Sequence, residues 1–152
     1  MPKAPTILIV NGPNLNMLGS RDPALYGRDS LADIEKACRR RAGEIGLAVD
    51  FRQSNHEGEI VTWIQEARGR AAGLIINAGA YSHSSIAILD ALQLADFPVI
   101  EVHLSNIFRR ESYRRHSYVS EAARGIICGL GSLGYRLALD AMAQFLKTEK
   151  EV

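Results

Sequence analysis

The chain has 152 residues, 47% of them hydrophobic and 23% charged, with a formal charge of +1. That length and composition suit one globular domain with a substantial core, and the near balance of charge excludes an electrostatic case for nucleic acid or an anionic membrane. Two cysteines, Cys38 and Cys128, exclude a disulfide scaffold and lie in no metal-like spacing.

Ile7, Leu8, Ile9 and Val10 centre a first strand over Thr6–Val10. A long aperiodic stretch follows, rich in Asn, Gly and Pro, from Asn11 to the start of a helix at Ser30. Loops of that length in a compact domain are usually lids, binding loops or disordered segments, and residues 19–28 are read as a lid. Ser30 caps the next helix with Asp33 in the reciprocal position. Leu31, Ile34, Cys38, Arg41 or Ala42, and Ile45 mark the inner face of that helix.

Leu47, Val49 and Phe51 alternate with polar neighbours as a second strand, and Glu57–Arg70 reads as a helix with Ile60, Trp63, Ile64 and Ala67 on one face. Gly73–Asn77 is the third strand and Ser84–Ala95 the third helix. Pro98–His103 is the fourth strand, its proline placed where a first residue can lack an N–H. After an arginine-rich connection come a fifth strand, Gly125–Gly129, and a closing helix, Tyr135–Thr148. Cys38 and Cys128 are expected as buried, reduced core residues.

Five βα units with near-continuous Val, Ile and Leu strands predict an α/β fold, with a parallel sheet covered on both faces in one doubly wound domain over 1–152. No apolar run is long enough to span a bilayer, and the start lacks the charged segment and long apolar core of a signal peptide. The expected location is the cytoplasm.

Ligands of such sheets bind beyond the carboxyl ends of the strands. Here those ends are Asn11 with the long loop, Asn77–His83, and Glu101–Asn106. Several chemistries are unsupported. Lys3, Lys36, Lys147 and Lys150 lie near a terminus or on a helix, which leaves Schiff-base catalysis without a nucleophile. The chain has no phosphate loop and no serine elbow. His83 and His103 can meet, but no carboxylate–histidine spacing suggests a metal cage. Neither a metal nor a cofactor is expected.

Acid–base chemistry remains. Tyr26 is a candidate base, although a tyrosine ordinarily titrates near pH 10. A cation about 4 Å away contributes up to ~4 kcal/mol at an effective dielectric of ~20, which amounts to about three pH units. Arg21 in the same loop can supply that charge; the alternative is a tyrosine packed under a loop tip. His103 is a candidate acid, with Glu101 two residues earlier on the same strand face, or else a hydrogen-bonded structural histidine. Asn14, Asn16 and Asn77 offer uncharged donors for an oxyanion or for loop backbone. One of Arg109, Arg110, Arg114 and Arg115, if it reaches inward, suits an anionic substrate. His56 and His116 are read as surface or structural residues.

Five stretches in order carry a resemblance: Asn11–Asn16, Arg21 with Tyr26 and Gly27, Asn77–Ser85, Glu101–Asn106, and Arg114–Tyr118. Together they resemble the type II 3-dehydroquinate dehydratases, nearly end to end. The resemblance implies a flavodoxin-like three-layer sandwich with a five-stranded parallel sheet. It also implies anti elimination of water from 3-dehydroquinate through an enolate, giving 3-dehydroshikimate in the shikimate pathway, without Schiff base or metal.

By the same resemblance Tyr26 removes the C2 proton, and Arg21 is the lid arginine that favours the tyrosinate. Asn14 stands near the enolate through an ordered water. His103 protonates the departing hydroxyl, with Glu101 behind it. Asn77, His83 and Arg114 contact substrate, the Leu104–Ser105 backbone holds its carboxylate, and Asp90 reaches a neighbouring subunit's site. Trimers that build a dodecamer are implied. The chain departs from the family's habit at Ala78, often Pro, at Leu89, often Arg, and at Phe108, often His. Two readings from other classes stay open at this level: a flavodoxin-like binding module for an anionic ligand or flavin, and an interaction protein that kept the scaffold without activity.

Overall fold

A computed structural model describes residues 3–20 and 22–151. Five strands form one parallel sheet in the order β2-β1-β3-β4-β5: β1 is Thr6–Asn11, β2 Ala48–Gln53, β3 Gly73–Asn77, β4 Val99–His103 and β5 Gly125–Cys128. The helices are α1 (Pro23–Tyr26), α2 (Leu31–Glu44), α3 (Glu57–Ala67), α4 (Ile86–Gln93) and α5 (Leu133–Glu151). This strand order is the flavodoxin-like one, and its switch point lies between β1 and β3. The predicted α/β class is the one observed.

Alternate side chains of each central strand enter opposite layers, as a strand's period of two requires. Ile7, Ile9, Ile75, Ile100 and Val102 pack against Ile34 and Cys38 of α2 and Tyr135, Leu139 and Met142 of α5. Leu8, Val10, Leu74, Ile76 and Val99 pack against Ile60 and Ile64 of α3 and Ile88 and Leu92 of α4. Burial on both faces is why these strands read as unbroken apolar runs. The capping box is formed: Ser30 Oγ accepts from the Asp33 N–H at 3.1 Å, and Asp33 Oδ2 accepts from the Ser30 N–H at 3.0 Å.

Several boundaries differ from expectation. The long loop holds a 3-10 turn, Leu15–Met17, and the four-residue α1, whose start is capped by Asp22 accepting from the Ala24 N–H at 3.1 Å. Helix α4 begins at Ile86, not Ser84, because Ser85 is its cap and residues 79–83 form a 3-10 turn. Helix α3 stops at Ala67, since Gly69 takes a positive φ of 77° and the Arg70 N–H turns back to the Ala67 carbonyl. Pro98 precedes β4 yet joins the sheet through its carbonyl, which accepts from Leu74 at 3.0 Å. Cys38 is buried, and burial pushes its thiol up to about 12. Cys128 corrects the expectation of a core residue: it is only half-buried, because β5 is an edge strand.

At the switch point Gly12 donates its N–H to the Asn77 carbonyl at 2.8 Å, tying the start of the loop to the end of β3. A Cβ there would lie 2.3 Å from the Ala78 carbonyl oxygen, a backbone atom that cannot swing aside. Gly12→Ala therefore separates the two strand ends. Overpacking of this kind costs about 1–3 kcal/mol, so urea unfolding should show a loss in that range, and an unchanged midpoint would contradict the close approach.

Candidate active site

Three strand ends and two connections meet in one cleft beyond the carboxyl edge of the sheet. Asn14 and Tyr26 come from the loop after β1, Asn77 from the end of β3, and His83 from the turn after it. His103, Leu104 and Ser105 come from β4 and its continuation, and Arg110 and Arg114 from the connection to β5. The cleft is partly open to solvent, and polar side chains converge on it from several elements, which suits a small polar molecule.

Below the cleft lies a buried polar triad. Tyr135 of α5 is wholly buried and donates its O–H to Asn11 Oδ1 at 2.6 Å, while Asn77 Nδ2 donates to the Tyr135 oxygen at 3.0 Å. Burial pushes the Tyr135 phenol up, against a smaller opposing effect of Asn77, so it stays a neutral hydroxyl. Asn11 Nδ2 donates to the Arg52 carbonyl at 3.0 Å, and Asn77 Oδ1 accepts from the Gly79 N–H at 3.2 Å. Asn11 and Asn77 are register partners on adjacent strands. One phenol thus holds both strand ends from which the cleft's loops depart.

The loop is held from β2 as well. Asn14 takes a left-handed backbone, φ 69°, the one non-glycine among the described residues to do so. Asn tolerates that conformation better than most residues, and here its N–H is fixed by Asn55 Oδ1 at 2.9 Å. Gln53 Nε2 donates to the Gly12 carbonyl at 3.2 Å and to Asn55 Oδ1 at 3.1 Å. Tyr81 donates its O–H to the Asn55 carbonyl at 2.7 Å. Backbone strain of this kind persists where surroundings over-determine it, often at functional sites.

The two histidines stack with ring centroids 6.1 Å apart. His83 Nδ1 lies 2.8 Å from the His116 carbonyl, an acceptor, so Nδ1 carries the hydrogen and Nε2 is the acceptor nitrogen. Burial lowers the His83 pKa, with the His116 bond opposing, which favours its neutral form. His103 Nε2 bonds Glu101 Oε2. Glu101 is wholly buried; burial pushes its carboxyl up, but the bond and charge of His103 and the hydroxyls of Ser120 and Ser117 outweigh burial and hold it below its ordinary 4.5. Ionised Glu101 can only accept, so the proton rests on His103 Nε2 and Nδ1 is left for exchange.

Tyr26 is the last residue of α1 and is half-buried in the cleft wall. The Arg110 guanidinium lies 5.4 Å from its ring centroid and donates from Nη1 to Ser105 Oγ at 3.3 Å. Arg114 pairs with Glu111 at 3.0 Å, and Arg110 reaches the same carboxylate at 3.7 Å.

Of the residues anticipated from sequence, Tyr26, His103, Asn14, Asn77, His83, Leu104, Ser105 and Arg114 line this one cleft, with Glu101 directly behind His103. Arg21 lies outside the described residues. Asp90 is exposed on α4, away from the cleft of its own chain. Arg109 and Arg115 are exposed. Sequence reasoning did not single out Arg110 from its neighbours, nor Tyr135, Ser117 or Ser120. Among the described residues no group of three or more His, Cys, Asp or Glu is arranged to hold a metal ion.

The profile described as "Dehydroquinase class II" matches residues 5–143 of the chain. The chain belongs to the class II dehydroquinases. It is 57% identical over 143 residues to "3-dehydroquinate dehydratase 2" of Pseudomonas putida, an alignment covering 94% of this chain and 96% of that protein. It is 54% identical over 146 residues to "3-dehydroquinate dehydratase" of Brucella abortus, covering 96% and 93%. Among solved structures, the type II dehydroquinase of Propionibacterium acnes superposes with a TM-score of 0.90 at 42% identity, covering 95% of this chain and 99% of that one. The five-stranded fold described above is therefore that of a class II dehydroquinase chain.

The Glu101 arrangement makes stability depend on acid. A carboxyl whose folded pKa is lowered contributes stability above its unfolded value, and that contribution is lost as pH falls through the folded value. Between pH 5 and the acid limit, in urea unfolding, the wild type should lose more stability than Glu101→Gln does; parallel curves would contradict an ionised Glu101 in the core.

Proposed function

We propose that this chain dehydrates 3-dehydroquinate to 3-dehydroshikimate by anti elimination through an enolate, acting in the cytoplasm in the shikimate pathway as one catalytic domain over 1–152. Family membership and the named relatives support the reaction. The observation that carries the mechanism is that one cleft holds a phenol beside a guanidinium and a histidine backed by a buried carboxylate.

Removing a proton beside a ketone needs a base and a stabilised enolate, and loss of a hydroxide leaving group needs an acid. Tyr26 is the base. Arg110, together with Arg21 of the lid, supplies the positive charge that suits a phenolate. Asn14 stabilises the enolate, and His103, its Nε2–H held by Glu101, takes up a second proton on Nδ1 and delivers that one to the departing hydroxyl. Asn77, His83 and Arg114 bind the substrate, and Leu104 with Ser105 meets its carboxylate, Arg110 standing beside Ser105. No described lysine lines the cleft, which supports a route without a Schiff base. Because α1 carries Tyr26 on the lid, closure both excludes water and completes the site.

Self-association is part of the proposal. Ile86 and Asp90 stand at i and i+4 on α4, and Leu94, its C-cap, follows at i+8; the two apolar members are 55% and 57% exposed. A carboxylate between two uncovered aliphatic side chains suits a neighbouring subunit, with Asp90 reaching its cleft, in trimers that build a dodecamer.

Substrate carrying deuterium at one C2 position tests the elimination. The anti hydrogen should be lost, and borohydride with substrate should not inactivate the enzyme; loss of the syn hydrogen or borohydride inactivation would overturn the mechanism. Removal of a general base or acid costs about 10²–10⁴-fold. Tyr26→Phe should lower kcat by that factor while substrate binding survives, and Arg110→Ala should lower kcat more than Arg110→Lys. Unchanged turnover in Tyr26→Phe would assign the base elsewhere.

A further inference from the structure

The segment 114–120 touches the cleft from behind, and its contacts converge on the two histidines. The His116 carbonyl fixes His83. Ser117 donates its hydroxyl to Glu101 Oε2 at 2.7 Å, the oxygen that also meets His103, and Ser120 donates to Oε1. The Ser120 N–H in turn donates to Ser117 Oγ at 3.3 Å, and the Tyr118 N–H to the Ser82 carbonyl at 2.8 Å, which fixes the segment in place.

We propose that Ser117 and Ser120 are positioning residues for the acid: their hydroxyls keep Glu101 ionised inside the core and thereby hold the His103 proton on Nε2. This deepens the dehydratase reading, and rests on it, for the part that concerns turnover. A buried carboxylate accepts hydrogen bonds and is costly when left without donors. Glu101 has three donors, the His103 ring and the two hydroxyls.

Without the hydroxyls the carboxyl is better off protonated. It then donates to His103 Nε2 and leaves His103 a neutral imidazole with its hydrogen on Nδ1, a far weaker acid than the imidazolium that an ionised Glu101 supports. The other titratable groups facing Glu101 are His83, from the turn after β3, and Cys128, from β5. Neither is a hydrogen-bond donor to it among the described residues, so neither replaces a serine.

The two serines are not equivalent. Ser117 is buried and Ser120 is exposed, so water can stand in for the Ser120 hydroxyl more readily than for that of Ser117. The expected order of effect is Ser117→Ala greater than Ser120→Ala, with Ser117→Thr restoring the lost behaviour because the hydroxyl remains.

The test combines a pH profile of kcat with 3-dehydroquinate and nitrogen NMR of His103 in imidazole-labelled protein. Losing a donor raises the pH at which Glu101 takes up a proton, so the acid limb of kcat should move upward. For Ser117→Ala the move should be about one pH unit, tenfold in proton affinity, with KM changed less than kcat and the His103 tautomer shifted toward Nδ1–H. Ser120→Ala should show a smaller move in the same direction. If Ser117→Ala does not fold, Ser120→Ala and the NMR of the wild type still decide. A wild-type His103 protonated on Nδ1 alone, or folded variants that keep both the acid limb and the tautomer, would overturn the proposal. Absence of turnover in the wild type would defeat the dehydratase reading instead, and leave the NMR result to judge the hydroxyls.

Discussion

The Tyr135 hydroxyl is the fixed point on which the cleft depends. It is wholly buried, and it joins Asn11 and Asn77 where the sheet changes direction. A parallel sheet places its ligands at that point because the crossovers diverge there. The divergence leaves polar strand ends inside an apolar frame, and each must find a partner or cost roughly 1–3 kcal/mol. Asn11 and Asn77 find theirs in one phenol carried by the closing helix. The loop after β1 and the turn bearing His83 therefore start from anchored residues.

A second polar cluster, around Glu101, does for charge what the first does for position. Its carboxylate lies in the interior yet keeps its charge, because donors reach it from β4 and from the segment before β5. His103 is thereby held on one side only. Across the cleft the arrangement is different: Tyr26 sits on a short helix in a loop, with Arg110 across its ring. The acid and the base of the proposed mechanism thus stand on different supports, one at a strand end inside the core and one on a loop. Glu111, which contacts both Arg110 and Arg114, orders the cationic wall between them.

Much of this was legible in the sequence, for physical reasons that vary by element. Strands buried on both faces show as unbroken aliphatic runs, which is why β1, β3 and β4 could be read off directly. Ser30 and Asp33 mark a helix start because the reciprocal cap is local chemistry. The four-residue α1 has no room for a helical period, and the turn over residues 79–83 is set by tertiary contacts, so neither was legible.

The cleft residues at strand ends followed from the topology alone, whereas residue chemistry left Tyr26 and His103 as candidates with alternatives and only the motif resemblance chose between them. Arg110 was hidden among four arginines of an aperiodic connection, where composition cannot say which one turns inward. Tyr135 read as the first residue of a helix; its buried partners lie 124 and 58 residues away along the chain. Ser117 and Ser120 carry no signal of their own, since a hydroxyl near a buried carboxylate shows only once the chain is folded.

The central claim is that this set of residues performs an elimination with no metal and no imine. An ultraviolet assay with 3-dehydroquinate on chelator-treated protein tests it most directly, following the absorbance of the conjugated product. The account predicts a steady rise proportional to protein concentration. Folded protein that gives no rise at several concentrations would contradict it.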